Sequence, residues 1–148
     1  MLKTNLLHPE ILGGLAAAGH LTKILISDGN YPSANKPNPR AKVVWANFTA
    51  GVVDACTILR LVCEIVPIEA VELMAPAKTG PYAMKNDPPI WKKYGEILRK
   101  HSDFRGECVR LAKPQFNEQA QSEDLGLVIA TAETQIYANI LMTIGVVR

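Results

Sequence analysis

The alternation of two apolar patterns along the chain predicts a layered α/β fold. Segments with apolar side chains at helical spacing alternate with short, unbroken apolar runs, and Gly, Pro and Asn separate the two kinds of segment. Unbroken apolar strands are typical of a sheet that is covered on both faces. We therefore expect a single-domain α/β sandwich over residues 1–148, with a central mixed sheet flanked by helices.

Helix and strand positions follow from the same pattern. Helices are predicted at Pro9 to Gly19, Val52 to Glu64, Asp87 to His101, and Pro114 to Gln121. Strands are predicted at Lys23 to Ser27, Val43 to Trp45, Ala70 to Ala75, Leu125 to Ala130, and Ile140 to Ile144. We expect Gly19 to end the first helix in a left-handed conformation, and Asp87 to act as the N-cap of the third helix.

Details of the helices add three expectations. Gly13 and Gly14 each cost about 1 kcal/mol relative to Ala inside a helix, and close packing against a neighbouring backbone would explain that cost. Arg60 and Glu64 have the spacing of an exposed i,i+4 ion pair. Cys56 and Cys63 are seven residues apart in an apolar helical pattern, so we expect both to be small residues of the core.

Charge and composition exclude several classes of protein. Sixteen basic and fourteen acidic side chains are scattered along the chain, which argues against a nucleic-acid surface. Neither an 18-residue apolar stretch nor a signal-peptide pattern is present, so we expect no membrane span. The cysteines are odd in number and form no C-x-x-C pair, which suits a reducing compartment. We expect a cytoplasmic protein.

Most motif-based chemistries lack support in this sequence. The histidines at positions 8, 20 and 101 form no metal-ligand spacing, so no metal site is predicted. Phosphate-binding loops, the dinucleotide-binding fingerprint and the G-x-S-x-G motif are missing too.

Two positions around the first strand are candidates for a site. His20 follows Gly19, and Asp28 ends the strand, which are positions where open α/β folds place their sites. Taken alone, His20 is better explained as a residue that interacts with a helix dipole, and Asp28 as an Asx-turn residue.

The segment Tyr137-Ala138-Asn139 before the last strand is a third candidate. In an extended chain Tyr137 and Asn139 point to the same side, where a phenol and an amide can hydrogen-bond sugar hydroxyls. From spacing alone, a turn leading into the strand is the better interpretation.

These motifs together resemble the family of D-ribose pyranase and L-fucose mutarotase over essentially the whole chain. The resemblance is carried by Gly19-His20, Ile24 to Asp28, Tyr31-Pro32, Tyr137 to Leu141, and Gly145-Val146. The segment from Pro89 to Arg99 is similar to the fucose branch in particular. The resemblance implies an RbsD-like fold and a sugar-isomerising activity.

The resemblance also implies roles for individual residues. The family's proton donor corresponds to His20, and its sugar-binding positions correspond to Asp28 and to Tyr137, Ala138 and Asn139.

A further sugar-binding position, usually Arg or His, falls on Lys113, three residues before Phe116. Asn117 stands where the fucose branch tends to have an aromatic residue. Both departures bear on which sugar is bound, since Lys and Arg grip hydroxyl pairs differently. Lys113 also fits a solvated residue before a helix.

Anomer exchange opens the hemiacetal ring and closes it on the other face of C1. One proton goes to the ring oxygen and another leaves the anomeric hydroxyl, so no cofactor is needed. Free imidazole, with a pKa of about 6.5, can give and recover that proton near neutral pH. The resemblance implies a monosaccharide and further copies of the chain as partners, in a homo-oligomer such as a ring of ten, with sites between subunits. D-ribose pyranase activity, non-catalytic sugar binding and aldose–ketose isomerisation are the alternatives.

Overall fold

The computed structural model describes residues 1–147, which form one six-stranded mixed sheet with helices on both faces. In chain order the elements are α1 (Pro9–Ala17), β1 (Lys23–Ser27), β2 (Lys42–Trp45), α2 (Ala55–Cys63), β3 (Ile68–Met74), α3 (Pro89–His101), β4 (Val109–Leu111), α4 (Lys113–Ala120), β5 (Leu125–Ala130) and β6 (Ile140–Ile144). The predicted α/β class is confirmed.

The strand order explains the mixed character of the sheet. The strands lie in the order β2-β5-β1-β6-β3-β4. β5 runs parallel to both β1 and β2, and β3 runs parallel to β4. β6 lies between β1 and β3 and is antiparallel to both. The carboxyl end of β1 therefore lies beside the start of β6.

The two faces of the sheet pack against different helices. In β1, Ile24 and Ile26 belong to the large apolar cluster that contains the buried side chains of α1, α2 and α3. Leu25, which points to the opposite face, packs in a smaller cluster with Phe116 of α4. The single helix α4 thus covers the face on which the candidate site lies.

Two predicted helix ends are wrong. α1 ends at Ala17, and the left-handed residue is Leu21, with φ of 69°, rather than Gly19. The Thr22 amide donates to the Gly19 carbonyl at 3.1 Å, so Gly19 to Thr22 form a turn whose third residue has positive φ, as in type II turns. α2 begins at Ala55 rather than Val52, because the Asp54 side chain accepts from the Thr57 amide and caps the helix.

Asp87 does not cap α3. Pro88 occupies the N-cap position without a side-chain cap, and Asp87 instead accepts two hydrogen bonds from the Arg110 guanidinium, at 2.8 and 2.9 Å. The sequence analysis missed β4, which carries Arg110, because a three-residue edge strand with largely exposed side chains has no apolar pattern.

Packing explains one of the two helical glycines. A methyl group on Gly14 would lie 2.8 Å from the Leu127 Cδ1 atom, so the Leu127 side chain would have to shift; the close neighbour is a side chain and not the backbone that we expected. A methyl group on Gly13 would have no neighbour within 4 Å.

The Arg60–Glu64 pair is present at 3.2 Å. Cys63 is buried as predicted, whereas Cys56 is only partly buried.

Candidate functional site

The carboxyl end of β1 carries a buried carboxylate held by three hydrogen bonds. Asp28 is 4% exposed. Its Oδ1 accepts from the Asn30 amide at 3.0 Å, and its Oδ2 accepts from the Asn139 side chain at 2.9 Å and from the Ala138 amide at 3.3 Å. Because a carboxylate has about four lone-pair positions, Asp28 keeps acceptor capacity for a ligand.

Asn139 and Asp28 bond to each other in both directions. The Asn139 Oδ1 accepts from the Asp28 backbone amide at 2.9 Å, while its Nδ2 donates to the Asp28 carboxylate. This reciprocity follows from the sheet, since Asp28 directly follows β1 and Asn139 directly precedes the neighbouring antiparallel β6. One N–H of the Asn139 amide is left for other partners.

Burial sets the protonation behaviour of this pair. Desolvation raises the pKa of the Asp28 carboxyl above its ordinary value of 3.8, and the hydrogen bonds from Asn30, Ala138 and Asn139 oppose that shift. The carboxylate therefore takes up a proton at a higher pH than an exposed Asp would.

Residues 136 and 137 form a turn that leads into β6, which was the alternative to an extended chain in the sequence analysis. Tyr137 has φ of 60°, a left-handed conformation. α3 holds the turn from below, because the Trp91 Nε1 atom donates to the Tyr137 carbonyl at 3.1 Å and the Tyr94 hydroxyl donates to the Ala138 carbonyl at 2.6 Å. Ala138 thus takes part through its backbone, while its side chain is fully buried.

The Tyr137 hydroxyl is engaged with the protein itself. It donates to the Tyr82 carbonyl at 2.9 Å and accepts from the Ala77 amide at 3.1 Å, so it ties the irregular segment between β3 and α3 to the turn. One acceptor position on the oxygen is left for a ligand, so sugar binding by Tyr137 stays a prediction.

Asp28, Asn139 and Tyr137 line one cavity of about 490 Å³, a size typical of small-molecule sites. α4 contributes a second wall, because Lys113 and Asn117 lie at i and i+4 on the same helix face. The remaining lining residues are Asn30, Tyr31, Pro32, Lys36, Met74, Tyr82 and Ile136. The fold thus brings together every predicted sugar-binding side chain except that of Ala138.

His20 does not lie in this cavity. It occupies the turn before β1, whereas Asp28 lies after β1, so the two are separated by a strand roughly 15 Å long. His20 is therefore at the amino end of β1 and not at the carboxyl edge where the spacing argument placed the site. Its Nε2 atom lies 2.8 Å from the Glu69 carboxylate, and both side chains are about half exposed.

The groove around His20 contains a second histidine. His101 places its Nδ1 atom 3.1 Å from the Glu64 carboxylate, and both His20 and His101 line the same broad groove beside the last described residues. Within one chain, the exposed imidazole of His20 is thus separated from the cavity that contains the buried Asp28.

Sequence reasoning assigned no site role to Tyr31 or to the supporting residues of α3. Tyr31 was noted only as part of the Tyr31-Pro32 motif, and its burial in the same apolar cluster as Phe116 had no local sequence signal. Trp91 and Tyr94 lie three residues apart on α3, and both are buried. Their hydrogen bonds to the Tyr137–Asn139 turn, however, required knowledge of which element lies beneath it.

Comparison with known sequences now identifies the family. Residues 1–147 match the RbsD / FucU transport protein family. The chain belongs to this family.

Named relatives of this RbsD/FucU family member include mutarotases. The fucose mutarotase of Homo sapiens is 29% identical over 148 residues, which cover 95% of this chain and 90% of the human protein. The structure of FucU from Bifidobacterium longum matches with a TM-score of 0.79 at 30% identity, covering 95% of each chain. The fucose mutarotase from Streptococcus pneumoniae, solved in complex with L-fucose, matches with a TM-score of 0.80 at 25% identity, covering 95% of this chain and 94% of that one.

These comparisons confirm the predicted family and the RbsD-like fold, and they agree with the prediction of a sugar isomerase. Among residues 1–147, no helix is both long and apolar enough to cross a membrane. The same residues contain no group of three His, Cys, Asp or Glu side chains that could hold a metal ion. Independence of cofactors stays a prediction, as does the single-domain organisation.

Proposed function

We propose that this protein is a mutarotase that interconverts the α and β anomers of a free aldose, such as L-fucose or a related monosaccharide. The observation that carries the proposal is the reciprocally bonded Asp28–Asn139 pair in a cavity of monosaccharide size. The mutarotase names of the relatives support the reaction type.

The residues of the cavity suit the binding of sugar hydroxyls. Asp28 accepts hydrogen bonds from hydroxyls with its remaining lone pair, and Asn139 donates with its free N–H. Lys113 donates from α4. Ala138 and Tyr137 position the pair through the backbone and through the loop that the Tyr137 hydroxyl holds.

The chemical step needs one acid/base group near the ring oxygen. His20 delivers a proton to the ring oxygen as the C1–O bond breaks, and a proton leaves the anomeric hydroxyl to give the open-chain aldehyde. Rotation about the C1–C2 bond and closure in the reverse sense give the other anomer. One positioned acid/base group supplies about 10²–10⁴-fold in rate.

The separation of His20 from Asp28 within one chain leads to the quaternary part of the proposal. We infer that His20 acts on a sugar held by the Asp28 cavity of a neighbouring subunit in a homo-oligomer. The half-exposed imidazole, in a groove of its own, is available for such a contact. A cytoplasmic location is part of the same proposal and rests on the unpaired cysteines.

The proposed activity is tested by saturation-transfer NMR on free aldoses with the wild-type protein and with His20→Ala. We expect the wild type to accelerate exchange between anomers, and His20→Ala to lower the rate by about 10²–10⁴-fold without loss of sugar binding. His101→Ala is the matched control, because it removes the other histidine that is paired with a glutamate in the same groove. Unchanged exchange in His20→Ala would remove His20 from its role.

The shared site is tested by mixing two inactive variants. His20→Ala and Asp28→Asn subunits are unfolded together, refolded and assayed for exchange. If sites lie between subunits, about one quarter of them combine an intact His20 with an intact Asp28, and activity returns. No recovery in verified mixed oligomers, or sedimentation of the active protein as a monomer, contradicts the inference.

Non-catalytic sugar binding is the second candidate. It is favoured by the distance between His20 and the cavity and by Asn117, which departs from the fucose branch. Isothermal titration that detects sugar binding in a protein without accelerated exchange would establish this candidate instead.

A further inference from the structure

Two polar atoms beside the proposed sugar site have no partner in the structure. The Tyr31 hydroxyl and the Asn117 Oδ1 atom are shielded from bulk water, and neither has a hydrogen-bond partner among residues 1–147. Both residues line the cavity that contains Asp28. Buried polar atoms are normally paired, and each exception calls for a specific explanation.

The surroundings of Tyr31 make its unpaired hydroxyl unusual. Tyr31 is 9% exposed and packs in the apolar cluster that includes Phe116 of α4 and Met74 of β3. Burial raises the pKa of its phenol to about 12, so the hydroxyl stays protonated and can donate a hydrogen bond at any physiological pH.

Asn117 approaches the cavity from the helix side. It follows Phe116, lies one turn after Lys113 and is only partly buried. Rotation about its terminal torsion can therefore turn the amide towards a ligand that enters the cavity. Its Oδ1 atom needs a donor, whereas the Tyr31 hydroxyl can donate and accept.

We propose that Tyr31 and Asn117 form a specificity subsite for a sugar hydroxyl, so that the protein favours a fully hydroxylated aldohexose over its 6-deoxy counterpart. A hydroxyl can donate to Asn117 and accept from Tyr31, whereas the methyl group of a 6-deoxy sugar satisfies neither atom. A site built around hydrogen bonds discriminates against an analogue that lacks the group, because its polar atoms then stay unpaired. The inference rests on the proposed function, since it assigns a sugar to the same cavity.

The test measures binding, so that it does not depend on catalysis. Dissociation constants for L-galactose and L-fucose, which differ only at C6, are measured by isothermal titration on the assembled wild-type protein and on Tyr31→Phe and Asn117→Leu. We expect the wild type to bind L-galactose at least about tenfold more tightly than L-fucose, as one net hydrogen bond would give. Each variant should lose about tenfold in L-galactose affinity and keep L-fucose affinity within about twofold.

Controls distinguish loss of the subsite from unfolding of the variant and from loss of catalytic activity. Glu118→Ala changes the exposed neighbour of Asn117 on α4 and should leave both affinities unchanged, and thermal unfolding verifies that each variant is folded. Equal wild-type affinity for the two sugars, tighter binding of L-fucose, or parallel loss for both sugars in the variants would overturn the subsite. Absent anomer exchange with the preference intact would overturn the proposed activity but not the subsite.

Discussion

The two ends of β1 differ sharply in how firmly their polar residues are held. At the carboxyl end, Asp28 is buried, and Asn139, Ala138 and Asn30 all donate to it. At the amino end, the half-exposed His20 has one side-chain partner, Glu69. The fold of one chain thus buries and pairs the carboxylate but leaves the imidazole at the surface. Under the proposed function, this difference places sugar binding within the subunit, whereas proton transfer depends on contact with a neighbouring subunit.

Removing the carboxylate should have the largest effect. Asp28→Ala leaves up to three donors unpaired, so we expect the free energy of unfolding to fall by about 3 kcal/mol and sugar binding to weaken beyond detection. Chemical denaturation and isothermal titration measure the two effects. The matched control is Asp103→Ala at the His20 end, where Asp103 accepts one hydrogen bond from the Ile68 amide and a loss of about 1 kcal/mol is expected. Equal losses at both ends would break the comparison.

Removing the hydrogen bond from Tyr94 of α3 to the turn before β6 should have the next largest effect. Tyr94→Phe leaves the buried Ala138 carbonyl without its donor, so we expect the free energy of unfolding to fall by about 1–2 kcal/mol and sugar affinity to weaken severalfold. Tyr82→Phe, which changes an exposed phenol, should change stability by less than about 0.5 kcal/mol. If both variants unfold at the same denaturant concentration, α3 does not stabilise the turn at Tyr137–Asn139.

The raised pKa of Asp28 predicts a pH dependence of defined sign. The folded state holds this proton more tightly than the unfolded state, so Asp28's contribution to stability is full below pH 3.8 and is lost as the pH rises through the folded pKa. The slope is at most about 1.4 kcal/mol per pH unit. Unfolding free energies of wild type minus Asp28→Asn, measured across that window, should fall with increasing pH. A rising difference would contradict the assignment.

Glu69→Gln should have the smallest effect on stability. Because Glu69 and His20 are both about half exposed, the free energy of unfolding should change by less than about 0.5 kcal/mol. Anomer exchange should slow severalfold if Glu69 orients the imidazole, and thermal melts alongside saturation-transfer NMR measure both quantities. A stability loss above 1 kcal/mol would mean that the two ends of β1 are less different than the contacts indicate.

The fold was predictable wherever burial determined the pattern. β1, β5 and β6 have the predicted bounds because their side chains are largely buried and their sequences are mainly apolar. β4 lacked that signal, and Asp87 was assigned to a cap because its partner Arg110 lies 23 residues away.

The candidate site was only partly predictable. Asp28 and Asn139 are 111 residues apart, and no local sequence pattern predicts their mutual hydrogen bonds. By contrast, the separation of His20 from Asp28 was implicit in the sequence, because the predicted strand between them already places them at opposite ends.

The mutual bonding of Asp28 and Asn139 ties function to the alignment of two strands. Their contact fixes which residue of β6 faces which residue of β1, and a slip by one position would send the side chains of β6 to the wrong faces of the sheet. Under the proposed function, a substitution that disturbs this contact would therefore weaken sugar binding and loosen the alignment of the two central strands at the same time.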